Sequence, residues 1–170
     1  YFIIPYLLWF VFIAVVMLYF FFTDVDGFYK LAKIMFTGMT IFLIISTIFP
    51  NGQDLRPMVF ERDNIFVDMV RMVYRMDTCT NVFPSLHVFN SVCACIAIHE
   101  SKALKKHRTV CQAAYLLAGL IILATMFLKQ HSVLDVMAAS FMAYVLYQFV
   151  YAKERRRAPK LVKLPVVQNK

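Results

Sequence analysis

Charge is scarce in this sequence and unevenly spread. Asp, Glu, Lys and Arg make up 16% of the 170 residues, and Tyr1 to Phe22 contains none of them. The run shows no basic n-region and is longer than the apolar core of a signal peptide, so it is expected to be a membrane span. Basic and aromatic residues nowhere interleave into a nucleic-acid surface, although the formal net charge is +8. The four cysteines lack the spacing of a disulfide framework or a metal site. Cys93, Cys95 and Cys111 fall in apolar segments, Cys79 stands alone in a polar stretch, and Cys93 and Cys95, two apart, do not share a helix face. No disulfide, metal or cofactor is expected. The first residue is Tyr and not Met, so a lost N-terminal piece is expected.

What remains is apolar, at 61% of residues, and it falls in five blocks: Tyr1 to Phe22, Phe28 to Phe49, Pro84 to His99, Thr109 to Leu128 and Ser132 to Tyr151. The pattern predicts an all-α, polytopic transmembrane bundle over residues 1–152 and a basic tail over 153–170. Thr23 to Gly27 forms a polar turn, and Pro50-Asn51-Gly52 ends the second block. The third block is short and carries His87, Asn90 and Ser91; on hydropathy alone it fits a buried or re-entrant helix as well as a span, and the alternation of loops favours a span. Ala114, Ala118, Ala138, Ala139 and Ala143 offer small faces for close packing.

Between the second and third blocks lies a polar excursion, Asn51 to Phe83. Within it Ile65, Phe66, Met69, Val70, Val73 and Met76 recur at helical spacing, with Asp63, Asp68, Arg71 and Arg75 elsewhere on the wheel. This predicts an amphipathic helix in the membrane interface, either a lip that admits lipid or a plain strut. One side of the membrane receives Lys30, Lys33, Lys102, Lys105, Lys106, Arg108 and the tail cations Lys153, Arg155, Arg156, Arg157, Lys160, Lys163 and Lys170. The other receives Arg56, Arg62, Arg71, Arg75 and Lys129, offset by five acids. The first side is therefore expected to be cytoplasmic, with the C-terminus.

On the opposite, outward face three polar clusters converge: Asp54-Leu55-Arg56-Pro57, Pro84-Ser85-Leu86-His87, and His131 with Asp135. The last pair is spaced i and i+4 at a helix start, where a carboxylate can hold one imidazole nitrogen and leave the other for attack. Phosphoryl transfer needs positive charge around three oxygens, an in-line nucleophile and an acid for the leaving oxygen. Arg56 has the planar fork for two phosphate oxygens, and the N–H groups opening the third span, with the Ser85 hydroxyl, suit an anion. Each residue also has a plainer use: Arg56 as an interfacial charge, Ser85 and Asp135 as helix caps, His87 as a link to a neighbouring helix.

Arg56-Pro57, Pro84-Ser85-Leu86-His87 and His131-x-x-x-Asp135 resemble the three motifs of the type 2 phosphatidic acid phosphatase (PAP2) superfamily, which includes lipid phosphate phosphatases and sphingolipid phosphotransferases. The resemblance runs from about Phe49 to Ala139. It implies a bundle commonly of six spans, and His131 as nucleophile, Asp135 as its partner, His87 as acid, and Arg56 and Ser85 as phosphate ligands. Five spans agree with a lost helix. Two cations usual in the family are missing: a Lys at the position of Phe49 and an Arg at that of Thr125. Such a cation contributes on the order of a thousandfold in phosphoryl transfer, and Lys129 is the candidate to replace one.

The reading expected from this is a lipid phosphomonoester phosphatase that works without metal at the outer face of a membrane such as the plasma membrane, with lipids as its partners and no nucleic acid. The alternatives are a phosphotransferase, since His131 to Val136 is similar to the sphingomyelin and inositol phosphorylceramide synthase branch, and a non-catalytic relative that binds anionic lipid.

Overall fold

A single residue, Asp24, separates the first two helices, α1 (Ile3–Thr23) and α2 (Val25–Ile48). Its carboxylate accepts from the Gly27 N–H at 3.0 Å and starts α2 at once, earlier than the expected Phe28, because an Asp cap needs no intervening turn. A Cβ on Gly27 would lie 2.7 Å from that carboxylate, so the cap depends on glycine.

This is a computed structural model, and it describes residues 1–57, 59–61 and 63–152. Arg62 and the basic tail at 153–170 lie outside the described residues. Among the described residues the chain is all-α. Helices α3 (Ile65–Met76), α4 (Leu86–Glu100), α5 (Arg108–Phe127) and α6 (Val133–Tyr147) follow, and α6 continues as a π-turn over Gln148–Ala152.

Helices α1, α2, α5 and α6 with its extension are 19 to 24 residues long and apolar enough to cross a membrane. At 1.5 Å per residue α1 rises about 31 Å, the thickness of the hydrocarbon core. Phe10, Val15 and Leu18 of α1, Leu43 of α2, Leu116 of α5 and Phe141 of α6 stand exposed on the outside. Apolar surface of that extent requires an apolar surrounding, and the protein is integral to a membrane.

The third expected span differs from the others. Helix α4 has 15 residues, about 22 Å, which is short of the hydrocarbon thickness. It packs against α1, α2, α5 and α6 and buries its polar Asn90 and Ser91 together with Val88, Phe89 and Cys93. Four long helices thus surround a short one that need not meet lipid along its length. Ser91 completes its own bonding by donating to the His87 carbonyl at 2.7 Å. Phe89 is fully buried and its ring tip occupies the place of a side chain at Gly38 of α2. Gly38→Ala should therefore overpack this contact and lower stability by about 1–3 kcal/mol; an unchanged melting temperature in detergent would show that the α2–α4 contact yields freely.

Helix direction alternates as the hydropathy pattern requires. The Ser85 N–H donates to the Asp135 carbonyl at 3.4 Å, which joins the starts of α4 and α6. Ile3 and Tyr6 at the start of α1 pack with Ala124 and Leu128 at the end of α5. Asp24, Lys30, Glu100 and Lys102 gather at the other end.

Helix α3 lies across the first of these ends. Asn64 caps it, accepting from the N–H groups of Phe66 and Val67 at 3.0 and 3.1 Å. Phe66, Met69, Val70 and Val73 pack onto the ends of α1 and α5, whereas Ile65 and Met76, expected on the same face, point outward and are exposed. The apolar residues of α3 that pack inward are those crossing these two helix ends, so its buried apolar face is narrower than the wheel implied.

Candidate active site

The two ends of the polar excursion are fastened together, and this places the site. Gly52 pairs with Thr80 in an isolated antiparallel bridge, and the Gln53 N–H donates to the Cys79 carbonyl at 3.0 Å. The Asn51 side-chain oxygen accepts from the N–H groups of Val82 and Phe83, both at 2.9 Å. Arg56 and the start of α4 are thereby delivered to the same place. Arg56 donates to the carbonyls of Tyr74 at 3.2 Å, Asp77 at 2.6 Å and Thr78 at 3.4 Å, and to the side-chain oxygen of Gln130. Its guanidinium also lies over the Tyr74 ring, 4.6 Å from the centroid. Burial pushes the Tyr74 hydroxyl above its ordinary pKa, so it stays protonated and donates to the Leu128 carbonyl at 2.8 Å.

Ser85 is the N-cap of α4, and its hydroxyl accepts from the Val88 N–H at 3.3 Å. It is wholly buried, and its own N–H is occupied by Asp135. Two residues on, His87 is held among aromatic rings, with centroids 5.0 Å from Tyr6 and 4.4 Å from Trp9. The His131 ring is its third neighbour, at 5.6 Å.

His131 owes its place to how α5 ends and α6 begins. Gln130 N–H bonds back to the Thr125 carbonyl at 2.9 Å and Lys129 N–H to that of Met126 at 3.0 Å, the paired closure of a Schellman motif. Lys129 occupies the left-handed position that this motif reserves for glycine, with φ of 53°. The His131 N–H also reaches Thr125, at 3.2 Å. Ser132 and Asp135 then form a capping box, in which the carboxylate accepts from the Ser132 N–H at 2.6 Å and the hydroxyl from the Asp135 N–H at 3.3 Å. The same Asp135 oxygen lies 3.8 Å from His131 Nδ1, an ion-pair distance and longer than a hydrogen bond.

His87 and His131 line a cavity of about 100 Å³ together with Phe42, Asp77, Leu86 and Gln130. Of the residues singled out from sequence, Ser85, His87, His131 and Asp135 are brought together at the starts of α4 and α6. Arg56 joins them through Gln130, and Lys129 is exposed beside them in the α5–α6 turn. Sequence reasoning passed over Gln130, Tyr6, Trp9 and Asp77. Trp9 is the only tryptophan of the chain and sits in an uncharged span, a signal that could have been used. Gln130 looked like any polar residue between two helices.

The sequence profile of the PAP2 superfamily matches residues 53–159, well over half of the chain and all of Arg56, Ser85, His87, Lys129, His131 and Asp135. The chain belongs to the PAP2 superfamily. Members of PAP2 are generally phosphatases or phosphotransferases. Neither the curated proteins nor the solved structures yield a match to this chain. The two positions where PAP2 motifs usually carry a cation are clear in the structure. Phe49 is 71% exposed beyond the end of α2. Thr125 is buried and its hydroxyl donates to the Ile122 carbonyl of its own helix at 2.7 Å. Neither position brings a positive charge to the cavity.

Proposed function

We propose that the protein is a lipid phosphate phosphatase that hydrolyses a phosphomonoester through a phosphohistidine. The observation that carries this is the meeting of two imidazoles, His87 and His131, in one cavity at the starts of two helices. His131 attacks phosphorus through Nε2, the nitrogen away from Asp135, forming an N–P bond as the P–O bond to the lipid breaks. His87 gives the departing alkoxide its proton. Water then attacks the phosphohistidine, His87 recovers a proton from that water, and inorganic phosphate leaves. Asp135 steadies the charge that forms on His131, and Arg56 and Lys129 balance that of the phosphoryl oxygens. The Ser85 hydroxyl retains a proton to donate. No step calls for a metal. Purified protein in detergent should release inorganic phosphate from phosphatidate in the presence of chelator, and no release would contradict the reading.

Lys129 offers a separate check. A side chain in the left-handed region costs about 1 kcal/mol or more, so Lys129→Gly should raise the melting temperature and lower turnover together. A variant both stabler and as active as the parent would remove Lys129 from the site.

The favoured orientation puts the cavity outside the cytoplasm, as at a plasma membrane, since Lys30, Lys33, Lys102, Lys105, Lys106 and Arg108 belong to the opposite end. Phosphotransfer stays as a second reading because the acidic residue Asp77 lines the cavity and the cations at positions 49 and 125 are missing. Such a site suits the single charge of a phosphodiester better than a dianion. It predicts a new phospholipid, with little phosphate, when a lipid alcohol is supplied as acceptor.

A further inference from the structure

Gln130 is buried, with an exposure of 1%, yet its side-chain amide is only half used. Its oxygen accepts from Arg56. A guanidinium has no acceptor, so this contact fixes which end of the amide is which and turns Nε2 the other way. Nε2 is buried without a hydrogen-bond partner, in a residue that lines the cavity shared by His87 and His131. Its backbone is equally constrained. The N–H is held by Thr125, and the carbonyl accepts from the Gln53 side chain. The amide therefore cannot turn over without abandoning Arg56, and leaving a buried donor unmet is costly enough to need a reason.

We propose that Gln130 is a phosphate ligand of this site: Nε2 donates to a phosphoryl oxygen, while Oε1 holds Arg56 in place beside it. An amide supplies two N–H donors without charge, which suits a pocket lined by an acidic residue, Asp77, whose carboxylate is engaged by the Tyr6 hydroxyl at 3.1 Å. The ligand selected is an oxyanion, offered as an ester headgroup or as free phosphate. The inference rests on phosphate occupying this cavity, as the proposed function requires.

Two substitutions separate a ligand from a mere prop for Arg56. Gln130→Glu keeps an acceptor for the guanidinium but turns a negative oxygen toward the phosphate. Gln130→Met keeps the volume and loses both contacts. If Gln130 only props Arg56, the Glu variant should bind phosphate as the parent does and the Met variant should fail. If Gln130 is a ligand, both weaken binding, Met by about 10-fold, the value of one hydrogen bond to a charged group, and Glu by more. The measurement is calorimetric titration of the detergent-solubilised chain with inorganic phosphate and with orthovanadate, with melting curves alongside. Parent-like affinity in the Glu variant, or no binding by the parent, overturns the proposal. Binding that depends on Gln130 in a protein that cleaves no lipid monoester would leave the ligand in place and remove the phosphatase. Phosphatidate as titrant, set against free phosphate, tells the two sources of the oxyanion apart.

Discussion

His131→Ala should lower phosphate release by about four orders of magnitude or more, the scale on which removing a nucleophile acts when the rest of a site survives. The rest should survive here. The turn that carries His131 is closed by backbone bonds from residues 129, 130 and 131 to α5 and by the Ser132–Asp135 capping box, none of which uses the imidazole. Melting should shift by only a few degrees while turnover disappears. His87→Ala provides the contrast. In the proposed role of acid for the leaving oxygen, His87 should contribute about 10² to 10⁴, and only where the leaving group needs a proton. Its loss should be severe with a lipid monoester and mild with an aryl phosphate, whose leaving group departs as the anion. Equal losses on both substrates would deny His87 that role.

Arg56→Ala should damage both fold and turnover. The guanidinium gathers the carbonyls of Tyr74, Asp77 and Thr78 and ties them to Gln130. Removing it strands several half-buried acceptors and should cost about 3 kcal/mol or more, besides roughly a thousandfold in turnover if Arg56 serves the phosphoryl group as proposed. Arg56→Lys is the sharper experiment, because an ammonium cannot span that set of acceptors. It should melt several degrees lower and turn over at least tenfold more slowly. Full activity and stability in the lysine variant would mean that charge alone matters at this position.

How much of this was legible in the sequence depends on how local the cause is. Asn64, Ser85 and Ser132 cap their helices through atoms within three residues, so helix starts could be read almost to the residue. The alternation of spans followed from hydropathy, and with it the meeting of His87 and His131 at one end. That the third block is short and carries polar residues was legible, but its enclosure as α4 was not decided by sequence, because hydropathy along a chain does not register four neighbouring helices. The outward turn of Ile65 and Met76 was hidden for a related reason: a helical wheel ranks apolar residues alike, and only the helices beneath α3 decide which strip is covered. Arg56 was found, but its carbonyl partners around residues 74–78 come to it through the pairing of 51–53 with 79–83, a contact between polar segments that leaves no periodic trace. Gln130 stayed hidden because an amide between two helices usually faces water, and here Arg56 and Gln53 draw it inside.

The most direct measurement is to trap the covalent intermediate. Protein mixed with phosphatidate labelled in its phosphate and quenched in alkali within the first turnovers should carry an acid-labile, alkali-stable label, and peptide mapping should put it on His131. Release of phosphate with no such label, or a label on another residue, would contradict the account.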